Sequence, residues 1–387
     1  MTPRPFPLIE LAGSAQARGL QYGRAATDRI RLSVGLYRRQ LEGMALTASD
    51  VRGFVDAFIP RIEDFDPSYV AEMKGIAEGA GIELADVVLV NARTEVLRIG
   101  KRQAEAQRAD VDPDGCTGAV LLPAATAHGR LLHGQNWDWK AECAETGVVL
   151  KIRRDDGPDI LTFTEAGGLA RSGLNSAGIA VTANYLNCDR DYARLGVPLA
   201  LLRRKVLETE HLALALRTVY CTPKSGSNNL MVSHADGFAL DIECAPDESF
   251  LVHPTNDLLV HANHWQSPVA LGKLRDLGVN VSPDSLYRDV RVRQQLEAQR
   301  GRLTLDHLRQ AFFDDFAAPW SVCRPPRRTV ESNLSATVAM ILMDPAAGRL
   351  EIAPLPALNR RFETYTLEMD RRFRAELRTE RTSEAAE

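Results

Sequence analysis

The chain has 387 residues, 45% of them hydrophobic and 25% charged, with a formal net charge of −4. This length allows one large α/β domain or two ordinary ones, and the composition is that of a globular protein. The small negative charge gives no electrostatic reason to expect nucleic acid or an anionic membrane as partner, and no apolar run approaches the ~20 residues that span a bilayer.

Targeting and redox signals are weak. Residues 1–7 lack the apolar core of a signal peptide, which favours a cytoplasmic location. The six cysteines, at positions 116, 143, 188, 221, 244 and 323, are scattered without a C-x-x-C pair. In a reducing compartment this pattern argues against a disulfide framework and a zinc ribbon. Neither a G-x-G-x-x-G motif nor a lysine-bearing P-loop occurs, and we expect no metal and no tightly bound cofactor.

The first hundred residues are predicted to be mainly helical. The mixed spacing of apolar residues predicts a helix over 19–41. Asp66 followed by Pro67 is a helix start signal, and the helix that it opens should end near the glycines at 79 and 81. A further helix is predicted over 84–97, and the mostly polar stretch 101–114 is predicted to be an exposed linker.

From residue 116 onward the pattern changes to strands. Strands are predicted at 117–122, 131–139, 147–153, 159–164, 179–183, 230–233, 238–243, 337–343 and 349–352. Helices are predicted at 199–220, 285–300 and 304–316, the charged end after 377 should fray, and the basic clusters 203–205 and 371–374 are interpreted as solvated helix faces. Hairpins interrupted by long helices predict two sheets with helices packed outside.

Cys116 is the most informative residue, because it follows Gly115 at the predicted start of a strand. If residue 122 pairs with residue 130, Cys116 lies opposite Asn136, with Asp138 two residues further along the same face. A free α-amino group has a pKa of about 7.7–8.0, so a cysteine at a new N-terminus carries both a nucleophile and its base. We therefore expect a self-cleaving chain, in which Asp138 orients the ammonium or thiol and Asn136 fixes the new chain end.

Two other interpretations stay open on the residues alone. Cys116 could work with a distant histidine such as His264 in an uncut cysteine hydrolase, although the local signature of papain-like enzymes is missing. The chain could also be a non-enzymatic binding module with a buried, inert cysteine. His261 and His264 are predicted to point to opposite faces of an extended segment, with no carboxylate to complete a zinc site.

A series of motifs in order along the chain resembles a known family. The motifs are DGCT (114–117), GQNWD (134–138), FTEAG (163–167), GLNSAGIAV (173–181), VHANH (260–264) and SVCR (321–324), preceded by GIAEGAG (75–81) and NARTE (91–95). They resemble the acyl-coenzyme A:6-aminopenicillanic acid acyltransferase (isopenicillin N acyltransferase) family of self-processing N-terminal-nucleophile enzymes. The resemblance covers about residues 15–355, with the motifs in order, which makes it far more specific than any one motif.

The resemblance implies an α+β fold, an αββα four-layer sandwich. It implies autocatalytic cleavage between Gly115 and Cys116 by an N-to-S acyl shift, which turns a precursor into two chains. The helical leader 1–115 would become the α chain, and 116–387 would become a catalytic β chain of 387 − 115 = 272 residues within one folded domain. The cleaved chains would stay associated, and a thioester on Cys116 would carry the acyl group to an amine or water.

The resemblance also assigns residues to the site. Asp138 matches the family's acidic residue near the nucleophile, Asn263 the asparagine that helps to hold the oxyanion, and Arg324 a site arginine. Asn184 or Tyr185 occupies the strand position that contacts substrate or oxyanion, and the choice between them stays open. The expected partner is a small-molecule amide or acyl donor. Acyl-coenzyme A is a possible substrate, and the acyl group and acceptor are left open.

Overall fold

A computed structural model describes residues 3–44, 46–104, 115–326 and 335–370, and fourteen strands and eleven helices lie within these ranges. The strands are β1 (Leu8–Leu11), β2 (Gly115–Leu121), β3 (Leu132–Trp139), β4 (Gly147–Ile152), β5 (Ile160–Glu165), β6 (Ser172–Asn175), β7 (Ile179–Tyr185), β8 (Asn228–His234), β9 (Phe238–Cys244), β10 (Ser249–Val252), β11 (Leu258–His261), β12 (Ala336–Asp344), β13 (Arg349–Pro354) and β14 (Glu363–Thr366). The helices are α1 (Ala15–Ala25), α2 (Thr27–Glu42), α3 (Ala48–Phe65), α4 (Pro67–Ala80), α5 (Leu84–Asn91), α6 (Arg93–Ala104), α7 (Leu199–Leu207), α8 (Leu212–Cys221), α9 (Pro268–Leu271), α10 (Ser285–Glu297) and α11 (Leu305–Phe312).

The strands form two sheets that lie face to face. One has eight strands in the order β1-β4-β5-β6-β7-β8-β9-β10, and the other has six in the order β11-β2-β3-β12-β13-β14. All neighbouring strands are antiparallel except β1, which runs parallel to β4. The middle of the six-stranded sheet packs on β7 of the other sheet, and both strand layers are buried.

Helices cover the outer faces of both sheets. Helices α7 and α8 pack on β6–β9 of the larger sheet, and α10 and α11 pack on β11, β2, β3 and β12 of the smaller one. The architecture is therefore α+β with four layers, αββα, which confirms the predicted fold class and its two sheets with helices outside. No helix in the described parts of the chain has an apolar stretch long enough to cross a bilayer.

The described residues before β2, 3–44 and 46–104, pack into the same domain as the rest of the chain. Helices α1 and α4 cross so closely that a Cβ on Gly19 or Gly75 would collide with the backbone of the other helix. Strand β1 extends the larger sheet, and Tyr22 of α1 accepts a hydrogen bond at 2.9 Å from the amide of Gly167, just after β5. The α4 boundaries agree with the prediction, since Asp66 caps its start and Gly81 ends it at a φ of 62°.

Several predicted boundaries were wrong. The predicted helices 19–41, 84–97 and 199–220 are each two helices, α1–α2, α5–α6 and α7–α8. Helix α6 also continues to Ala104, into the predicted linker, whose remainder lies outside the described residues, as does the charged end. Helices α3 and α9 and strands β1, β6, β10, β11 and β14 were not predicted; each of these strands has only four residues, which leaves a weak local signal. The predicted solvated face at 203–205 is wrong for Arg203 and Arg204, which are 8% and 0% exposed.

Candidate active site

The pairing of β2 with β3 decides which side chains lie beside Cys116. Cys116 is opposite Trp137, and Gly115 is opposite Asp138, so the predicted register is wrong by one residue. The loop between the strands is longer than assumed, because Leu121 pairs with Leu132 and a 3-10 turn follows β2. A slip of one residue exchanges the two faces. The thiol therefore faces the larger sheet, while the Asp138 side chain lies on the opposite face.

The thiol of Cys116 is buried in a cationic environment. The residue is 1% exposed, and Nη2 of Arg171 lies 3.9 Å from its Sγ. The Arg171 guanidinium stacks 4.0 Å above the ring of Trp137, which fixes its orientation. A nearby positive charge favours the thiolate, the reactive form of cysteine.

Side chains hold the backbone of Cys116 on the side of β2 where the ladder to β11 has ended. Strand β11 pairs with β2 only as far as Gly118, two residues short of Cys116. The Cys116 N–H donates to Oδ1 of Asn263 at 2.7 Å, and the Cys116 carbonyl accepts from Nη1 of Arg288 at 2.6 Å. Nη2 of Arg288 also donates to Oδ1 of Asn263 at 2.8 Å, so two donors orient this amide. Its Nδ2 then faces the carbonyl of Tyr185, to which it donates at 2.8 Å.

Arg288 is a site residue that the sequence reasoning missed. It is fully buried at the start of α10, where its Nε donates to Oδ2 of Asp284 at 2.7 Å. Asp284 and Arg288 stand four residues apart, a spacing that places them together on one helix face. This spacing was the available signal, but it is equally typical of an exposed helix surface.

Asp138 and Arg324 form a buried ion pair under Gly115. Nε of Arg324 lies 3.3 Å from Oδ2 of Asp138, and Nη2 of Arg324 donates to Asp284. Burial raises the pKa of Asp138 to about 6, against the opposing charge of Arg324. Burial disfavours the charge of Arg324, but Asp138 and Asp284 raise its pKa above the ordinary value. A Cβ on Gly115 would lie 2.7 Å from both Arg324 Nη1 and Asp138 Oδ2, so this pair contacts the residue that precedes Cys116.

Asn136 and Asn184 lie close to this arrangement but are engaged elsewhere. Nδ2 of Asn136 donates to the carbonyls of Phe312 and Val322 at 2.8 and 2.9 Å, on the face away from the thiol. The register-based expectation that Asn136 fixes the new chain end is therefore wrong. Nδ2 of Asn184 donates to the carbonyls of residues 261 and 262, which braces the segment carrying Asn263. Of Asn184 and Tyr185, it is Tyr185 that contacts Asn263 directly.

The two histidines near the site do not have the predicted arrangement. The rings of His261 and His264 stack with centroids 6.2 Å apart, because β11 ends at His261 and the chain turns. The prediction of opposite faces was wrong. Nδ1 of His264 is 2.9 Å from Oγ of Ser285, and its Nε2 is 3.9 Å from Asp289. Both ring nitrogens thus have partners other than Cys116, which disfavours a Cys–His pair.

Comparisons with known proteins show the family of the chain. The profile of the acyl-coenzyme A:6-aminopenicillanic acid acyl-transferase family matches residues 125–354. The acyl-coenzyme A:6-aminopenicillanic-acid-acyltransferase 40 kDa form of Emericella nidulans is 28% identical over 365 residues, which are 93% of this chain and 95% of the relative. These matches define an enzyme of the acyltransferase and amide hydrolase class. The chain belongs to the acyl-coenzyme A:6-aminopenicillanic acid acyl-transferase family, which confirms the resemblance carried by its motifs.

Two solved structures are also similar, more distantly. A mutant of conjugated bile acid hydrolase from Clostridium perfringens has 13% identity and a TM-score of 0.43, and covers 65% of this chain and 92% of its own. Penicillin V acylase from Agrobacterium tumefaciens has 15% identity and a TM-score of 0.42, and covers 65% of this chain and 86% of its own.

Proposed function

We propose that the chain cleaves itself between Gly115 and Cys116 and then transfers an acyl group through a thioester on Cys116. The observation that carries this proposal is the way Cys116 is held. Its amide and carbonyl are bound by the side chains of Asn263 and Arg288, and its thiol lies beside Arg171. A cysteine that served packing alone would complete the β-ladder with ordinary backbone partners.

Self-cleavage would begin with attack of the Cys116 thiol on the carbonyl carbon of Gly115. A C–S bond forms, the C–N bond breaks, and the proton from sulfur ends on the Cys116 nitrogen. Water then hydrolyses the thioester, leaving a carboxylate on Gly115 and a free thiol and amine on Cys116. Oδ2 of Asp138 is buried next to Gly115 and accepts no hydrogen bond from the described residues, so it is available to relay the proton.

Turnover would use the new amine as the base. It takes the thiol proton, and the thiolate attacks the acyl carbon of the donor. The amine then protonates the leaving nitrogen or sulfur as the C–N or C–S bond breaks. Water or an acceptor amine attacks the thioester and releases the thiolate. Asn263 Nδ2 has two N–H groups and gives one to Tyr185, so the other can stabilise the developing oxyanion.

The substrates of this proposal are a small-molecule amide or thioester as donor, and an amine or water as acceptor. Acyl-coenzyme A is the first donor to test, because the name of the Emericella nidulans relative includes it. The reaction as written requires no further cofactor.

The two cleaved chains would remain one domain. The parallel pairing of β1 with β4 joins the leader to the catalytic part, as does the buried ion pair of Arg93 with Glu165 at 2.7 Å. Separation would expose the packed core and leave buried charges unpaired, which is strongly unfavourable. We expect the cleaved chains to elute together in native buffer and to separate only in denaturant.

The first experiment is the intact mass of the purified protein under denaturing conditions, beside a Cys116→Ala control. We expect two fragments that sum to the chain plus one water, with the larger one starting at Cys116, and a single chain from the control. An uncut wild-type chain would contradict self-cleavage. If an uncut chain still turned over amides and lost that activity in His264→Ala, it would be a Cys–His hydrolase. An uncut chain in which Cys116 is inert to iodoacetamide and acyl donors would be a binding module.

A further inference from the structure

The backbone of Asn263 is anchored by a serine of a neighbouring helix. Ser285 is the first residue of α10 and is fully buried, and its Oγ accepts a hydrogen bond at 2.7 Å from the N–H of Asn263. The same Oγ lies 2.9 Å from Nδ1 of His264. Both contacts lead out of the helix to the segment that carries Asn263.

The direction of the second hydrogen bond follows from the surroundings of the His264 ring. Burial lowers the pKa of His264, and of the charged groups that face it, Asp289 and Asp276 raise the pKa while His261 and Arg288 lower it. The net shift is downward, so the ring is neutral near pH 7, and a proton on Nε2 faces Asp289 at 3.9 Å. Nδ1 is then an acceptor, and the serine hydroxyl donates its own proton to it.

The peptide unit between residues 262 and 263 is held from both sides. Its carbonyl accepts from Nδ1 of His261 at 3.0 Å and from Nδ2 of Asn184 at 2.9 Å, and its N–H donates to Ser285. The orientation of this unit sets the direction of the Asn263 side chain, whose Oδ1 accepts from the N–H of Cys116. Loss of the serine hydroxyl would leave a buried N–H without its partner and release one side of the peptide unit.

We propose that Ser285 and His264 are positioning residues for acyl transfer: the neutral ring of His264 orients the serine hydroxyl, and this hydroxyl holds Asn263 in place beside Cys116. The inference rests on the proposed function, in which the Asn263 amide stabilises the oxyanion. Because both residues act through Asn263, their loss should slow the chemical step and leave binding of the donor nearly unchanged.

The kinetic test uses straight-chain acyl-coenzyme A donors, from acetyl to decanoyl, and follows the release of coenzyme A by chromatography. With the best donor of the wild type, we expect Ser285→Ala to lower kcat about 10- to 100-fold and to change KM by less than about twofold. Each rate is divided by the processed fraction, which intact mass measures. Ser249→Ala removes another buried serine hydroxyl, in β10, and should keep the wild-type values.

Two replacements of His264 separate its ring from its acceptor. His264→Phe keeps a ring without an acceptor and should lower kcat about fivefold or more, whereas His264→Asn offers an amide oxygen near the position of Nδ1 and should keep most of the rate. A base acting directly on Cys116 would be lost equally in both variants. In a double-mutant cycle, Ser285→Ala should cause no further loss in Asn263→Ala, because it acts through that side chain. Additive losses would show a merely structural role and overturn the inference.

A structural measurement depends neither on turnover nor on cleavage. We expect crystal structures of Cys116→Ala with and without Ser285→Ala to differ at the peptide unit between residues 262 and 263. In the double variant, Oδ1 of Asn263 should lie beyond about 3.5 Å from the nitrogen of residue 116. An Asn263 side chain that stays in place would overturn the inference and leave the proposed acyl transfer intact. An uncut wild-type chain that forms no thioester with any donor would overturn the proposed function, and the inference with it.

Discussion

Replacement of Gly115 by alanine tests whether the Asp138–Arg324 pair is needed for the proposed cleavage between Gly115 and Cys116. The new Cβ would lie 2.7 Å from an atom of each partner, where ordinary contacts begin at 3.4 Å, a shortfall of about 0.7 Å. The pair cannot easily retreat, because Thr337 donates to Asp138 at 2.6 Å and Arg324 donates to Ser335 at 2.6 Å. Relief of the clash moves the pair away from the bond at a cost of about 1–3 kcal/mol, and because the proposed cleavage needs the pair in place in its transition state, we expect cleavage to slow about 5- to 150-fold.

The assay follows cleavage of chains made by cell-free translation, by denaturing gel after synthesis is stopped. Gly53→Ala is the matched control, because a Cβ on Gly53 in α3 meets nothing within 4 Å and should leave the rate unchanged. Once cleaved, Gly115→Ala should have nearly normal kcat/KM, since residue 115 is then no longer attached to the nucleophile. Cleavage of Gly115→Ala at or above the wild-type rate would refute the requirement for this pair.

Three further predictions concern the charged groups of the site. The rate of self-cleavage should rise with pH through about 6, where Asp138 ionises, and Asp138→Asn should remove that dependence in the same gel assay. Burial disfavours the charge on His261, but Asp241 and Glu243 raise its pKa to about 9, above the usual 6.5. His261 therefore contributes stability that is complete below pH 6.5 and lost as the pH rises through 9. Urea unfolding should show that the free energy of unfolding falls by an amount on the order of 1–3 kcal/mol over this range, and His261→Gln should lack this fall. Arg288→Met should lower the unfolding free energy by about 3–5 kcal/mol in urea, because it leaves Asp284 with one buried partner fewer and frees the Cys116 carbonyl.

The sequence predicts the layers of the fold because long strands and capped helices leave strong local signals. The strands of the β2–β3 and β8–β9 hairpins lie within one or two residues of their predicted bounds, and Asp66 caps α4 as expected. The pairing of β2 with β3 depends on the length of the loop between them, which the alternation of residues in the strands does not predict. A 3-10 turn follows β2, and the register differs from the predicted one by one residue. The side chains of Asn136 and Cys116 therefore lie on opposite faces of the sheet.

The structure brings Cys116, Asp138, Asn263 and Arg324 close together, and each of them belongs to a recognisable motif, while their roles stay predictions. No motif pointed to Arg288, or to the cavity that Arg93, Arg171 and Arg203 line. Their members come from α6, α7 and α10 and from the segment before β6, and only the folded chain brings them together. In the sequence, the arginines of α7 have the spacing of an ordinary exposed helix face.

In the observed register, the two faces of β2 contact different groups. On the outer face, Gly115 rests on Asp138 and Arg324, which are linked through Asp284 to Arg288 and so to the backbone of Cys116. On the inner face, the thiol of Cys116 lies 3.9 Å from Nη2 of Arg171. Changes on the outer face should therefore act first on the proposed cleavage of the chain, whereas changes beside the thiol should act on both cleavage and acyl transfer, because both steps would use the same sulfur.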